Sequence, residues 1–392
     1  MATDSTSTSR ATARPSSSTS DVLLGAVFAR GGAAAAVSDG ALLQALLDVE
    51  VAHARATLSA EEADAVAAAA VAERFDLEAL GAEAARHATP VIGLVAALRE
   101  ASGVEGVHRG LTSQDVVDTA LMLIARRALA AILDDARAAA DAAAALAETH
   151  RTTPLLARTL MQPAQPTTFG LKAAGWMTAL DESAAELTRV RSEVLAAQVG
   201  GAVGTRAALA GAEGVAAAMA EELGLVDPVL PWHGDRRRPV QLAAALGVLA
   251  GAAAKVANDI ILMAQGEVAE VRDGVAGGSS AMAHKANPVA AISVRACAKR
   301  VPGLVATMLQ VMEGEHERAA GGWQAEWETL RELLRSTGAA TAWLRELLER
   351  LEVDPARMEA NLVATLDPRT AADRPDTSAL VDRALAAHRA AR

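Results

Sequence analysis

The longest uninterrupted helical pattern constrains the fold of this chain more than any other feature. Residues 112–150 contain neither proline nor glycine, and apolar residues recur there at spacings of three and four. A helix of this length would extend about 55–60 Å, well beyond the average helix of a globular protein. Because such a helix needs partners of similar length, the pattern predicts an elongated helical bundle.

Other parts of the chain have the same kind of pattern. Further long helices are predicted at about 164–200, 239–270 and 287–313, the last interrupted by Pro302. A helix from about residue 38 to 58 and shorter helices at 60–73, 76–88 and 90–101 are predicted before the bundle. Apolar positions on the long helices extend around more than one face, so we expect a homo-oligomer that buries them.

The expected domain organisation follows from these patterns. Residues 1–20 are rich in serine and threonine and lack an apolar segment, which predicts a disordered tail instead of a secretory signal. The remaining predicted units are an N-terminal helical domain at 21–105, a central long-helix bundle at 106–352 and a short C-terminal helical domain at 353–392. The expected fold is therefore all-α, with smaller helical domains at the ends of an elongated bundle.

Composition narrows the possible functions. Hydrophobic residues make up 52% of the 392 residues, but aromatic residues only 2%, which favours close helix packing over a β-sandwich. A net charge of −11 argues against nucleic-acid binding as the main function. The single cysteine, Cys297, cannot form an intrachain disulfide and suits the cytoplasm. Polar residues interrupt the apolar stretch 239–264, so no membrane span is expected.

The first polar segment that could carry chemistry is HRGLTSQDVVDT at 108–119. Thr112 or Ser113 can cap the long helix, and Asp115 lies in its first turn. The free N–H groups of such a helix end can hold a substrate carboxylate, and His108 can titrate near neutral pH. Taken by itself, a helix cap without a catalytic role explains the segment as well.

The second segment, ARTLMQPAQPTTFG, covers 157–170. Arg158 offers a planar guanidinium group suited to a carboxylate, and Thr159 and Gln162 lie close by in the sequence. A surface arginine in a proline-rich loop is the alternative interpretation.

The third segment is AGGSSAMAHKANP at 276–288. Gly277 and Gly278 favour a loop instead of a continued helix. The two serines after them can present hydroxyl groups, while Lys285 and Asn287 provide a cation and an amide. The segment matches neither a phosphate-binding loop nor the S-x-x-K spacing of a serine–lysine pair, and a linker is the alternative.

The three segments together are far more specific than any one of them. TSQD (112–115), ARTLMQ (157–162) and GSSAMAHKAN (278–287), in this order on an alanine- and leucine-rich chain, resemble the signatures of the fumarase/aspartase superfamily. Within it, the chain resembles the bacterial 3-carboxy-cis,cis-muconate cycloisomerases. The stretches that carry this second likeness are PWHGDR (231–236), EHERAAGGWQAEWETL (315–330) and LVDRALAAH (380–388). Leu160, where fumarases and amino-acid lyases carry histidine, fits the same likeness.

The resemblance implies an all-helical homotetramer in which three subunits build each active site. It also implies a small di- or tricarboxylate substrate and neither a metal nor an organic cofactor. Ser279 would be the catalytic base, Lys285 and Asn287 would stabilise an aci-carboxylate intermediate, and His108 would be the partner acid or base. The residues expected to contact the substrate are Thr112, Ser113, Arg158, Thr159, Gln162, Ser280 and Met282, with His233 and His284 as further candidates.

The expected activity is therefore a cofactor-independent, lactonising cycloisomerisation of 3-carboxy-cis,cis-muconate or a close polycarboxylate. The chain departs from the family pattern at Ala157, Ala283 and Ala286, where relatives carry Gly, Pro and often Arg, and in a shortened C-terminal domain. These differences concern the substrate more than the fold. One alternative is a lyase that removes an amine, alcohol or similar group from a succinyl compound, and another is an inactive structural homo-oligomer.

Overall fold

The N-terminal part of the chain is a set of short helices. The computed structural model describes residues 22–209, 214–275, 277, 282 and 285–391, so the tail predicted at 1–20 lies outside it. The helices here are α1 (Val22–Gly25), α2 (Ala33–Ala36), α3 (Asp39–Thr57), α4 (Ala60–Ala69), α5 (Leu77–His87) and α6 (Val91–Ser102). Helices α3 to α6 confirm the four predicted between 38 and 101, although α4 ends earlier than predicted. Ser38 caps α3 by accepting a hydrogen bond from the Ala41 N–H at 3.2 Å.

The central part contains the long helices. Its elements are α7 (Ser113–Thr149), β1 (Pro154–Thr159), β2 (Gln162–Thr168), α8 (Phe169–Glu193), α9 (Val215–Leu223), α10 (Arg237–Met263), β3 (Val271–Arg272), α11 (Val289–Gln310), α12 (Gly322–Glu349) and β4 (Glu352–Val353). Helix α7 has 37 residues, which confirms the helix predicted at 112–150. Helix α11 runs through Pro302 without ending there.

The long helices form one packed bundle. Helix α7 packs against α8 and α12, and α10, α11 and α12 all pack against one another. Fully buried alanines such as Ala128, Ala136 and Ala143 line α7 and let neighbouring helices approach closely. Helix α10 is long and apolar enough to cross a membrane by length and composition, yet 56% of that segment is buried inside the chain, as expected for a core helix. The all-α prediction is confirmed, apart from two small two-stranded sheets within the described residues.

The C-terminal part folds back onto the bundle. It contains α13 (Pro355–Thr365), α14 (Pro368–Ala372) and α15 (Ser378–Ala390). Helix α15 packs against α8 and α7. His388 fastens it there, because its Nδ1 lies 2.8 Å from an Asp181 oxygen and its Nε2 lies 3.1 Å from an Asp141 oxygen.

Two predicted element boundaries were wrong, and one long helix was not predicted. The helix predicted at 164–200 spans only α8, and the residues before it form the hairpin β1–β2. Each hairpin strand has a single neighbour, so Pro163 and Pro166 are tolerated in β2 although prolines usually argue against a strand. The helix predicted to end near residue 270 ends at Met263. Helix α12 was not predicted. The glycine pair Gly321–Gly322 at its start is typical of a turn or loop.

Burial shifts the pKa values of Cys297 and His53. Burial raises the pKa of Cys297 to about 12. His53, on the buried face of α3, is fully inaccessible, and neither of its ring nitrogens has a hydrogen-bond partner within the described residues. Burial is the largest influence on His53 and lowers its pKa below the ordinary 6.5, against the opposing effect of Glu50.

Gly170, in the first turn of α8, is predicted to be required by close backbone contact. An added Cβ would lie 2.6 Å from the Arg151 Cα and 2.7 Å from the His150 carbonyl oxygen, and neither backbone atom can move aside easily. We expect Gly170→Ala to lower the free energy of unfolding by about 1–3 kcal/mol. Gly175→Ala on the same helix meets no atom within 4 Å and should raise it by about 0.5–1 kcal/mol. Equal melting temperatures for the two variants would contradict this view of Gly170.

Stability should also depend on the protonation of His53. The pKa of His53 is lowered in the folded state, so this side chain binds a proton more readily in the unfolded chain. Protonation therefore favours unfolding, and the free energy of unfolding falls as the pH drops below about 6.5. We expect the slope of unfolding free energy against pH between 6.5 and 5 to be smaller in His53→Leu, by up to about 1.4 kcal/mol per pH unit. The exposed His316 gives the control His316→Leu, which should keep the wild-type slope. Equal slopes of unfolding free energy against pH for the wild type and His53→Leu would refute the prediction.

Candidate active site

The N-terminus of α7 is held by one buried carboxylate. Asp115 accepts hydrogen bonds from the backbone N–H groups of Thr112 at 2.9 Å, Gly200 at 2.8 Å and Gly201 at 2.9 Å. Its Oδ1 also lies 2.8 Å from His233 Nε2. Asp115 therefore joins the helix start to a glycine loop and to His233, and leaves the half-buried Thr112 and Ser113 at the edge of this assembly. Thr112 stands at the N-cap position as predicted, and its N–H donates to Asp115. His233 directs Nε2 to the same carboxylate.

A second carboxylate, one turn further along α7, joins two other helix starts. Asp118 accepts from Arg236 at 2.8 and 3.0 Å and from Trp323 Nε1 at 2.9 Å. Arg236 also donates to Glu326 at 2.8 and 2.6 Å. Burial opposes the charge of Arg236, but Asp118 and Glu326 outweigh it and raise its pKa. Arg236 immediately precedes α10 and Trp323 lies in the first turn of α12, so the N-termini of three long helices converge here.

Arg318 places a further cation beside this convergence. Its Nε donates to Gln114 Oε1 at 2.9 Å, and its Nη2 donates to the Ala202 carbonyl oxygen at 3.2 Å. The buried Gln114 donates in turn to the His233 carbonyl oxygen at 3.1 Å. Helix N-termini and a partly exposed guanidinium group both attract anions. Sequence reasoning noted the stretch 315–330 but did not select Arg318.

His108 lies just before this helix start and contacts a buried acid. Its Nδ1 is 2.7 Å from Glu50 Oε1, and the Glu50 side chain is fully buried while 18% of His108 remains exposed. Sequence reasoning did not predict Glu50 as a site residue, because α3 carries no motif that points to residue 108.

The second predicted segment forms the tip of the hairpin β1–β2. Thr159 and Gln162 pair directly, and Leu160 and Met161 form the two-residue turn between them. Both turn residues have left-handed φ values of 51° and 66°, as a type I′ hairpin turn requires. Leu160 is 96% exposed and Met161 71% exposed. The predicted residues Thr159 and Gln162 thus flank an apolar turn that projects from the chain.

Arg158 is already paired within the chain. It donates to both oxygens of the fully buried Glu270 at 3.1 and 3.0 Å. Asn361 adds a hydrogen bond to Glu270 at 3.0 Å. A cavity of about 280 Å³ lies beside the pair and also contacts Lys172, whose pKa is lowered by burial. The arrangement anchors the hairpin. Arg158 lies at the surface, as the alternative interpretation had it, but on a strand and not in a loop.

The third predicted segment is described in part. Ser279, Ser280, Ala283 and His284 lie outside the described residues. Met282 and Lys285 are exposed, Asn287 is half-buried, and none of the three is helical. The Asn287 N–H donates to the Gly277 carbonyl oxygen at 3.2 Å.

Asp273 holds the base of this segment, and sequence reasoning missed it. Its Oδ2 accepts from the Ala290 N–H at 2.8 Å at the start of α11, and its Oδ1 accepts from the Val275 N–H at 2.9 Å. Gly277 permits the close approach of the two sides, since an added Cβ would lie 2.0 Å from a Val289 methyl group. No sequence signal links Asp273 to a helix that begins 16 residues later.

The three predicted segments therefore have different neighbours within one chain. Thr112 and Ser113 lie beside the glycine loop and Arg318, whereas the hairpin tip projects near Glu270, and Lys285 lies on the segment based at Asp273. Across the described part of the chain, no group of three or more His, Cys, Asp or Glu side chains is arranged to hold a metal ion.

Comparisons with known proteins agree with this architecture. A family model described as "Lyase" matches residues 18–303. A 3-carboxy-cis,cis-muconate cycloisomerase from Bradyrhizobium diazoefficiens is 44% identical over 84% of this chain and 77% of that protein. A nitrosuccinate lyase from Streptomyces davaonensis is 43% identical over 84% of this chain and 74% of that protein.

Solved structures similar to this chain include enzymes of the same kinds. The 3-carboxy-cis,cis-muconate lactonizing enzyme from Pseudomonas putida superimposes with a TM-score of 0.82 and 40% identity, covering 86% of this chain and 79% of that one. A fumarate lyase from Mesorhizobium sp. BNC1 gives a TM-score of 0.76 and 32% identity, covering 83% of this chain and 76% of that one. The family match, the helical bundle and the ordered motifs lead to one conclusion: the chain belongs to the lyase family of the fumarase/aspartase superfamily.

Proposed function

We propose that this chain is a lactonising cycloisomerase that acts on 3-carboxy-cis,cis-muconate or a close polycarboxylate. The observation that carries the proposal is the 44% identity, over 84% of the chain, to an enzyme of that name. The convergence of three helix N-termini with Arg318 supports an anionic substrate. A cytoplasmic enzyme of aromatic-compound breakdown through the β-ketoadipate pathway, working without a metal or organic cofactor, is part of the same proposal.

In the proposed reaction, a substrate carboxylate oxygen adds to one carbon of a double bond and closes the lactone ring. The electron pair of that double bond moves into a neighbouring carboxylate, which becomes an aci-carboxylate dianion. A proton delivered to the adjacent carbon completes the addition. Ser279 would give this proton in the lactonising direction and remove it in the reverse direction.

The dianion requires stabilisation as its charge develops. Lys285 and Asn287 offer a cation and an amide donor on the same segment as Ser279, and the loss of one such donor typically costs about 2.7–4 kcal/mol. The hydroxyl groups of Thr112 and Ser113, with the backbone at the start of α7, would bind a second carboxylate. Arg158 enters the proposal chiefly as the anchor of the hairpin, because both of its terminal nitrogens donate to Glu270.

A second candidate function is elimination of a leaving group from a succinyl compound. It is favoured by the 43% identity to the nitrosuccinate lyase, which covers the same share of this chain as the cycloisomerase. The same base and the same dianion would serve, because elimination is the reverse of the addition.

The substrate is tested directly with purified protein. We expect the absorbance of 3-carboxy-cis,cis-muconate to disappear as the lactone forms, while a panel of succinyl compounds, nitrosuccinate included, gives no fumarate. Ser279→Ala should lower kcat by about 10²–10⁴-fold, whereas Ser192→Ala, at an exposed position of α8, should leave it unchanged. Fumarate formed from the panel in place of lactone would establish the second candidate. No turnover of any compound by a correctly assembled protein would leave only a structural role.

We further propose that the active protein is a homotetramer in which each site combines segments from three subunits. The separate neighbours of the three segments support this, and so does the exposed apolar turn Leu160–Met161, which would be buried in another subunit.

Shared sites are tested by mixing inactive variants. Ser113→Ala and Ser279→Ala subunits, unfolded and reassembled together, should recover part of the wild-type activity, because some mixed sites receive both intact segments. Ser279→Ala mixed with Lys285→Met provides the matched control and should recover none, since both changes lie in one segment. Equal recovery in the two mixtures, or none in either, would contradict the shared site.

A further inference from the structure

Glu50 and His108 form a pair that the proposed reaction does not yet use. Glu50 lies on the buried face of α3 and is fully inaccessible, and its Oε1 is 2.7 Å from His108 Nδ1. Its other oxygen, Oε2, has no hydrogen-bond partner within the described residues. A buried carboxylate normally collects several donors, whereas the hydrogen bond to His108 is the one found for Glu50 among the described residues.

The other groups near Glu50 do not replace His108 as its partner. His53 lies one turn further along α3, but its ring nitrogens form no hydrogen bond within the described residues, and burial lowers its pKa, which favours the neutral ring. Asp115 is engaged by the helix start and His233. His108 is thus the one side chain within hydrogen-bond distance of Glu50 among the contacts of the described residues.

The backbone at His108 is held in an uncommon conformation. Its φ is +66°, in the left-handed region that side-chain-bearing residues rarely adopt. The turn is closed by the Leu111 N–H, which donates to the His108 carbonyl oxygen at 3.2 Å. Arg99 Nη2 holds the preceding residue by donating to the Val107 carbonyl oxygen at 2.8 Å. Such conformations persist where the surroundings fix them, often beside functional groups.

The hydrogen bond determines which ring nitrogen is free. When Glu50 is ionised, its oxygens can only accept hydrogen bonds, so the proton between the two side chains belongs to Nδ1. Nε2, on the other side of the ring, is then left with its lone pair. A proton accepted at Nε2 would give an imidazolium whose charge the buried carboxylate balances, and the same proton could be returned from Nε2.

We propose that Glu50 is a positioning residue for the catalytic reaction: it fixes the tautomer and orientation of His108, so that protons enter and leave His108 at Nε2. This inference rests on the proposed function, in which His108 is the partner acid or base beside Thr112 and Ser113. Glu50 itself touches no substrate and acts only through His108.

A double-mutant cycle tests the inference. Glu50→Gln should lower kcat about 10–100-fold with KM little changed, a part of the 10²–10⁴-fold that a positioned acid–base group supplies. In a His108→Asn background, Glu50→Gln should have almost no further effect, because the group it positions is gone. Asp48→Asn, on the same helix and paired with Arg127, provides the matched control and should keep wild-type kcat. Additive losses from Glu50→Gln and His108→Asn would overturn the proposal.

A spectroscopic measurement tests the inference without any need for a substrate. Solid-state 15N spectra of histidine-labelled protein, assigned by the signal lost in His108→Asn, should show His108 protonated at Nδ1, and Glu50→Gln should remove that preference. An Nε2-protonated ring in the wild type would overturn the inference. Absence of turnover by the wild type would instead count against the proposed function, so the two failures are distinguishable.

Discussion

The Asp115 carboxylate is the contact on which the candidate site depends most. It is fully buried, and a buried charge costs several kcal/mol unless donors replace the lost water. Three backbone N–H groups and a histidine ring meet that requirement, and they come from the start of α7, the glycine loop at 200–201 and His233. Because the donors belong to distant parts of the sequence, satisfying the charge also fixes where these parts lie.

Asp118, one turn further along α7, likewise accepts hydrogen bonds from distant parts of the sequence and influences the charge around the three helix starts. Asp118 and Glu326 both accept hydrogen bonds from Arg236, while Trp323 donates to Asp118 from the start of α12. The buried acids thereby allow three positive helix ends to approach one another without a large repulsive cost. Arg318, held by Gln114 at the outer edge, is not matched by a carboxylate in the hydrogen bonds described for it. The surface that results suits an anionic ligand although the whole chain carries a net charge of −11.

Sequence reasoning succeeded where a local pattern determines the outcome. The start of α7 at Ser113 follows from a threonine cap and an uninterrupted apolar periodicity, both visible within a few turns. The hairpin at 154–168 was missed because its prolines resemble those of a loop, and only the absence of further strands beside it makes them acceptable. The partners of Glu50, Asp118 and Asp273 could not be predicted either. Each partner lies on a different helix or loop from the acid that it contacts. These contacts arise from packing and not from residues that are close in the sequence.

The burial of Cys297 has a practical consequence for work on the site. Thiolates, not thiols, react with alkylating reagents, and burial raises the pKa of this cysteine to about 12. The chain contains no other cysteine. A cysteine introduced at an exposed position such as Thr159 would therefore be the reactive thiol of the native protein. A single fluorophore attached there could report whether the hairpin tip becomes enclosed by another subunit.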